Sequence, residues 1–232
     1  MHLSKTTLWT VAAAVALTQV GFAEDGDDTP ARLGKAATVV REIMATKDQS
    51  IPDDLLDKAQ CAVVVPGLKK GGFIVTAKYG KGFITCRGTG TRAWSSPAAI
   101  RVEGGGVGFQ IGASETDLIM LVMNDSGAKK LMSSQFTVGG EGEVAAGPVG
   151  RNASAQTDGK FTAEILSWSR SRGVFAGIAL QGATLREDKE DNKALYGSEL
   201  TTEQVVHRTG PAPAAAQPLL TALTVHSPKE DK

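Results

Sequence analysis

Three histidines, two cysteines and one close pair of glutamates are the residues on which chemistry in this 232-residue chain would have to rest. His2 stands at the N-terminus, while His207 and His226 stand near the C-terminus. The central body therefore offers no imidazole base for a serine or cysteine nucleophile. No Cys/His group has zinc-ligand spacing. Glu141 and Glu143 would share a face in an extended strand, as an acid/base pair or a cation site would require. A solvated strand face gives the same pattern. Gly140-Glu141-Gly142-Glu143-Val144-Ala145 matches a dinucleotide fingerprint letter by letter, yet strand pattern continues on both sides and two glutamates would repel phosphate. The glycine run from Gly104 is not followed by the Gly-Lys-Ser/Thr of a phosphate loop. The expectation is a chain without cofactor, metal or catalytic site; a hydrolase using Glu141 and Glu143 is the minor alternative.

Cys61 and Cys86 each fall in a strand-like run. They could pair, closing a loop of about 25 residues and stabilising the fold by about 3 kcal/mol. Buried free thiols acting as small apolar side chains would fit the same runs.

The positive signal is electrostatic. Between Asp57 and Glu103 there is no acid, while Lys58, Lys69, Lys70, Lys78, Lys81, Arg87, Arg92 and Arg101 supply eight positive charges. The whole chain is neutral, with 25 basic and 25 acidic residues, which is no global nucleic-acid signature. A local cluster can still hold an anionic surface at about 1 kcal/mol per basic residue. A solubilising face is the plainer reading.

The elements that would position these groups can be read from periodicity. A first helix is expected from about Pro30 to Lys47, capped by Thr29, with Leu33, Ala36, Ala37, Val40, Ile43 and Met44 in one stripe. Arg32 and Arg41 border that stripe, as in a helix lying at a membrane interface; packing on the protein's own sheet gives the same pattern. A short second helix carries Leu55 and Leu56. Cys61–Val65 reads as a strand stopped by Pro66-Gly67. Gly71–Tyr79 and Lys81–Arg87 read as a hairpin turning at Gly80. Further strands follow, and glycines inside them imply bends and bulges. The fold class expected is α+β: a curved, glycine-rich antiparallel sheet or barrel-like body with an N-terminal helical segment and short helices.

At the N-terminus, Lys5 precedes an apolar run from Leu8 to Val20 that closes with Gly21-Phe22-Ala23. This is the form of a signal peptide cleaved after Ala23, the run being short for a permanent span. The expected organisation is a signal peptide over 1–23, a polar lead-in over 24–30, one domain over 31–207, and a disordered Pro/Ala-rich tail over 208–232.

Several motifs in order are shared with a known family. They are Ile51-Pro52-x-x-Leu55-Leu56-x-x-Ala59-x-Cys61-x-x-x-x-Pro66; Gly72-Phe73 with Tyr79-Gly80-x-Gly82; Trp94-Ser95-x-Pro97; and Gly104-Gly105-Gly106-x-Gly108-x-Gln110-x-Gly112 with Asp117 after it. Across roughly Ala31 to Tyr196 the chain resembles the SYLF domain family, and in particular its exported bacterial type. The resemblance implies a mixed α/β lipid-binding domain that meets anionic headgroups through a helix and basic surface residues. The matching positions are Arg32, Lys35 and Arg41 on the first helix and the basic group around Lys69 and Lys70. Expected function is thus an exported, non-catalytic module, periplasmic or secreted. It would dock on anionic phospholipid through Lys69, Lys70, Lys78 and Lys81, assisted by the first helix. The alternative is an envelope protein whose partner is another protein; no nucleic-acid partner is expected.

Overall fold

The computed structural model describes residues 28–46, 50–72, 75–88, 93–107, 112–138, 144–149, 163–171, 174–177 and 182–227. Residues 1–23, expected to be a signal peptide, and Arg92, Glu141 and Glu143 lie outside the described residues.

Helix α1 spans Thr29–Ala45. Asp28, not Thr29, caps it: the Asp28 carboxylate accepts the Ala31 N–H at 2.8 Å, and Pro30 in the first turn forfeits no helical bond. Leu33, Ala36, Ala37, Val40 and Ile43 are buried, so in the folded chain the stripe packs inward. Helix α2 (Asp53–Lys58) buries Leu55 and Leu56.

At the centre of the sheet, β1 (Cys61–Gly72) pairs with β2 (Val75–Cys86) and with β4 (Gly112–Val122). Beyond β2 lie β3 (Ala98–Val107), β9 (Ala183–Glu187) and β5 (Gln135–Thr137). Beyond β4 lies β7 (Ile165–Ser171), whose far edge is shared by β6 (Val144–Ala146) and β8 (Val174–Gly177). The sheet curls into a half-barrel, as the strand glycines imply. It is mixed, because β6 runs parallel to β7 while the other pairs are antiparallel. Cys61 and Cys86 are cross-strand partners and form a disulfide, with Cα atoms 3.9 Å apart.

Pro66-Gly67 does not stop β1, and Gly80 is not a turn. The register of β1 slips by one residue against both neighbours between Val65 and Leu68, which makes Pro66-Gly67 a bulge. Gly67 takes the left-handed φ of +65° that the bulge needs, and its N–H is met by Asp117 Oδ1 at 3.0 Å. Gly82 and Gly80 lie on the neighbouring strand because the bulged chain crowds it. A Cβ on Gly82 would stand 2.3 Å from the Val64 carbonyl oxygen, and one on Gly80 would stand 2.9 Å from Leu68 Cδ1. Glycine here marks close approach inside one long strand.

Each face of the sheet has its own core. Ala62, Val64, Phe83, Ile119 and Trp168 pack beneath α1 and α2. Val63, Val65, Ile84, Leu118 and Met120 face the other way, toward α3 (Asp125–Met132) and α5 (Thr202–Val206). Of the tail expected to be disordered over 208–232, residues 208–227 are described, and they fold onto the body. After a 3₁₀ turn at Ala214–Ala216, helix α6 (Gln217–His226) inserts Leu219, Ala222 and Leu223 into the α1 core. Pro and Ala marked the segment as low in bulky residues; the leucines that anchor it come afterwards. Trp94 Nε1 donates to Ser227 Oγ at 3.2 Å, pinning the end of α6 to the body.

Helix α4 (Lys189–Tyr196) is fastened by charge. Lys81, rising from β2, forms an ion pair with Asp188 at 3.2 Å and lies 3.5 Å from Asp191. Arg32 of α1 reaches Asp191 at 2.5 Å. The Asp188 side chain is 2% exposed and that of Lys81 12%. Burial alone would lower the Lys81 value, but the Asp188 and Asp191 carboxylates outweigh it and raise the ammonium above its ordinary 10.5.

Two outcomes are expected from this packing. Leu219→Ala should cost about 2–4 kcal/mol in urea denaturation, as removal of a buried leucine does; a loss near zero would place α6 outside the cooperative unit. Lys81→Met leaves Asp188 buried without its cation and should cost about 3 kcal/mol. Because the folded Lys81 value is raised, its contribution is complete below the ordinary lysine value of 10.5 and is lost as pH rises through the folded value. The gap between wild type and Lys81→Met should therefore be unchanged between neutral pH and about 10.5 and narrow above it.

Candidate anion-binding surface on the first hairpin

The bulge decides where the hairpin lysines point. Its extra residue returns Leu68 to the face of Val65, so Lys70, two residues on, shares that face and Lys69 takes the opposite one. Lys70 is the direct cross-strand partner of Lys78. Opposed like charges destabilise a ladder, so two half-buried ammonium groups in register need an electrostatic or functional reason. Burial, and then the Lys70 ammonium, lower Lys78 from its ordinary value. The neighbouring strands do not relieve the pair: Lys78 faces Gly104 on β3, and Lys70 faces Ser114 on β4. Gly104 and Gly106, which share the Lys78 face of β3, put no side chains beside it. The result is a positively charged strip on backbone-rich sheet, able to accept an oxyanion between two ammonium groups.

The other expected site residues are dispersed. Lys69 lies across from Glu115 and Tyr79 on the α1 side of the sheet. Lys35 and Arg41 are exposed on α1, which covers that same side; Arg41 donates to Thr38 Oγ1 at 3.0 Å. Lys81 and Arg32 are turned inward onto Asp188 and Asp191. The seven expected cations therefore do not form one patch, and Lys81 and Arg32 are occupied in holding α4. Other members of the acid-free stretch are likewise matched from nearby or elsewhere. Arg87 stacks on Trp94 at 4.3 Å and donates to the Ala59 and Leu56 carbonyls, while Arg101 meets Glu103 at 2.7 Å.

Sequence reasoning missed Asp188 and Asp191 because charge runs were counted along the chain, whereas these acids arrive from more than a hundred residues away. A signal was present: Asp188 caps α4 by accepting the Asp191 N–H at 3.2 Å, so Asp-x-x-Asp marked a helix start with two anions on one turn. A second missed feature is the cleft between α1 and the bulge, where Arg170 of β7 holds Asp117 at 2.5 Å and also pairs with Glu42. Among the described residues, no group of three His, Cys, Asp or Glu side chains could hold a metal ion.

Comparison with known proteins agrees with the motif pattern. Residues 103–226 match the family described as Ysc84, Las17-binding protein actin regulator. The match extends through α6, so the C-terminal helix belongs to the shared domain. SH3 domain-containing YSC84-like protein 1 of Xenopus laevis is 36% identical over 171 residues, covering 71% of this chain and 50% of that protein. Its human counterpart is 32% identical, covering 80% of this chain and 55% of its own length. Protein YSC84 of Saccharomyces cerevisiae is 33% identical, covering 82% of this chain and 42% of its own length. The chain spans about half the length of such relatives, and none of these three names is that of an enzyme. On the family match and these identities, the chain belongs to the Ysc84 family, whose shared unit is the SYLF domain.

Proposed function

We propose that this chain is an exported, non-catalytic module that docks on anionic phospholipid through the Lys70–Lys78 pair. The observation that carries this reading is the opposition of two lysines across β1 and β2 with glycine backbone beside them. Their mutual repulsion falls when a phosphate sits between them, so binding recovers energy that the unbound sheet holds. Lys69, and Lys35 and Arg41 on α1, add positive charge on the other side of the hairpin. Export is supported by the Lys5 to Ala23 sequence and by the Cys61–Cys86 disulfide, a bond suited to an oxidising compartment.

A second reading has its own support. The family description names a Las17-binding protein and actin regulator, so relatives engage proteins, and this chain could act by binding another envelope protein. Stoichiometric capture of such a partner, without any vesicle binding, would favour it.

The docking reading is tested by co-sedimentation with vesicles. The chain lacking residues 1–23 should bind phosphatidylglycerol vesicles, bind phosphatidylcholine vesicles poorly, and lose binding as salt rises. Lys70→Glu with Lys78→Glu should weaken binding about tenfold or more, at about 1 kcal/mol per basic residue. Equal binding to both lipids, or an unchanged double variant, overturns it. For export, N-terminal sequencing of protein recovered outside the cytoplasm should begin at Glu24; retention of residues 1–23 refutes cleavage there.

A further inference from the structure

A cleft opens between α3 and α5, on the side of the sheet away from α1, and the disulfide forms its floor. Cys61 and Cys86 belong to the same core face as Val63, Val65 and Ile84, which these two helices cover. Their side chains therefore point toward the helices. The helices do not close over the bond. Between them lies a space of about 470 Å³ bounded by Cys61, Cys86, Ala128, Met132 and Val206. Small-ligand sites occupy about 300–1,000 Å³. Asp125, Lys129, Glu203 and His207 border the same space, so its rim carries both signs of charge and turns away neither an anionic nor a cationic guest.

The backbone around the bond is held without it. The Gln60 N–H donates to the Val122 carbonyl at 2.7 Å, and the Arg87 N–H donates to the Gln60 carbonyl at 2.8 Å. The Cys86 N–H donates to Ser95 Oγ at 3.1 Å, and Cys61 is paired with Val122 of β4 as well as with Cys86. Opening the S–S bond would leave two thiols still opposed across β1 and β2, placed to re-form it. A cross-link that served stability alone would be better sealed, because empty space above it forfeits packing contacts. Cys86 keeps 4% of its surface and Cys61 1%, so only a small molecule entering the cleft can approach the bond.

We infer that Cys61–Cys86 is a reversible exchange site for a low-molecular-weight thiol admitted between α3 and α5. The incoming thiolate attacks one Sγ, the S–S bond breaks, and the other cysteine sulfur leaves as a thiolate that takes a proton from water. The chain then carries a mixed disulfide in the cleft. A second thiol attacks that bond, releasing the small-molecule disulfide and leaving both cysteines reduced. The two thiols supply the two electrons. The inference uses neither the hairpin lysines nor a protein partner, so it stands apart from both readings above.

Timed reduction of the purified chain by dithiothreitol tests this, with new thiols counted by alkylation and mass. The folded chain should lose its disulfide at a rate proportional to dithiothreitol and flat across urea concentrations well below the unfolding transition. A rate that climbs with the unfolded population from the lowest urea upward means the bond is reached only by global unfolding, and overturns the inference. Ala128→Leu, which fills the cleft, should slow reduction about tenfold in native buffer, since exchange depends on access. In concentrated urea the variant and the wild type should be reduced at the same rate. An unchanged native rate in a folded Ala128→Leu chain also overturns it; the wild-type urea series needs no variant and decides the matter even if that chain does not fold. With glutathione as the thiol, the folded chain should gain the mass of one glutathionyl group while its circular dichroism is unchanged. Removing the thiol and adding oxidised glutathione should restore the bond. Failure to restore it refutes reversibility.

Discussion

One extra residue in β1 governs much of this molecule. A strand alternates its side chains strictly, so inserting a residue at Pro66-Gly67 exchanges the two faces for everything beyond it. Without that insertion, Lys69 rather than Lys70 would face the same way as Lys78. The bulge also fixes its surroundings. Gly67 must hold a positive φ, its N–H must find an acceptor, and the backbone opposite must come close enough to exclude side chains at Gly80 and Gly82. Asp117 answers the second demand and is itself held by Arg170, so contacts tie the bulge in β1 to β4 and β7.

A second constraint is the burial of charge. Lys81, Asp188, Asp191 and Arg32 come from a strand, a helix start and a separate helix, and they meet where little water reaches. Such a cluster is expensive to desolvate and adds little net stability over an apolar equivalent, but removing one member is costly. Its value lies in geometry. An apolar contact would hold α4 against the sheet in several arrangements, whereas two carboxylates shared between a lysine and an arginine admit one. The neighbouring contacts follow from this placement: Asn192 on α4 accepts the Ala99 N–H at 2.7 Å, and Tyr196 at its far end donates to the Pro97 carbonyl at 2.6 Å.

Local patterns were legible in the sequence where a single element determines them. The α1 stripe, the buried leucines of α2, the curved glycine-rich sheet and the SYLF resemblance all follow from short-range spacing. Failures came where two strands share one cause. Gly80 reads as a turn only if β2 is considered alone; beside the bulge it is a close-approach site. Pro66-Gly67 reads as a stop because punctuation residues look alike whether a strand ends or bends. The C-terminal helix was missed because Pro211 to Pro218 dilutes the leucines that follow, and those leucines matter only in contact with α1. For the candidate site, the identity of the basic residues was visible, but their grouping was not. Ion pairing is set by distance in space, and the acids that claim Lys81 and Arg32 are remote in the chain.

The motifs that carried the family resemblance prove to be mostly structural. Tyr79-Gly80-x-Gly82 makes room for the bulge, Asp117 closes it, and Trp94-Ser95 ties β2 to the end of α6 through Ser227 and the Cys86 N–H. What they specify is a scaffold with a bulged central hairpin. Lys70 and Lys78 lie on that scaffold at positions the motifs do not name. Residues that shape a backbone are constrained by sterics at every member of a fold, while residues that meet a ligand answer only to that ligand. A resemblance resting on the first kind therefore fixes the architecture more firmly than it fixes what the architecture holds.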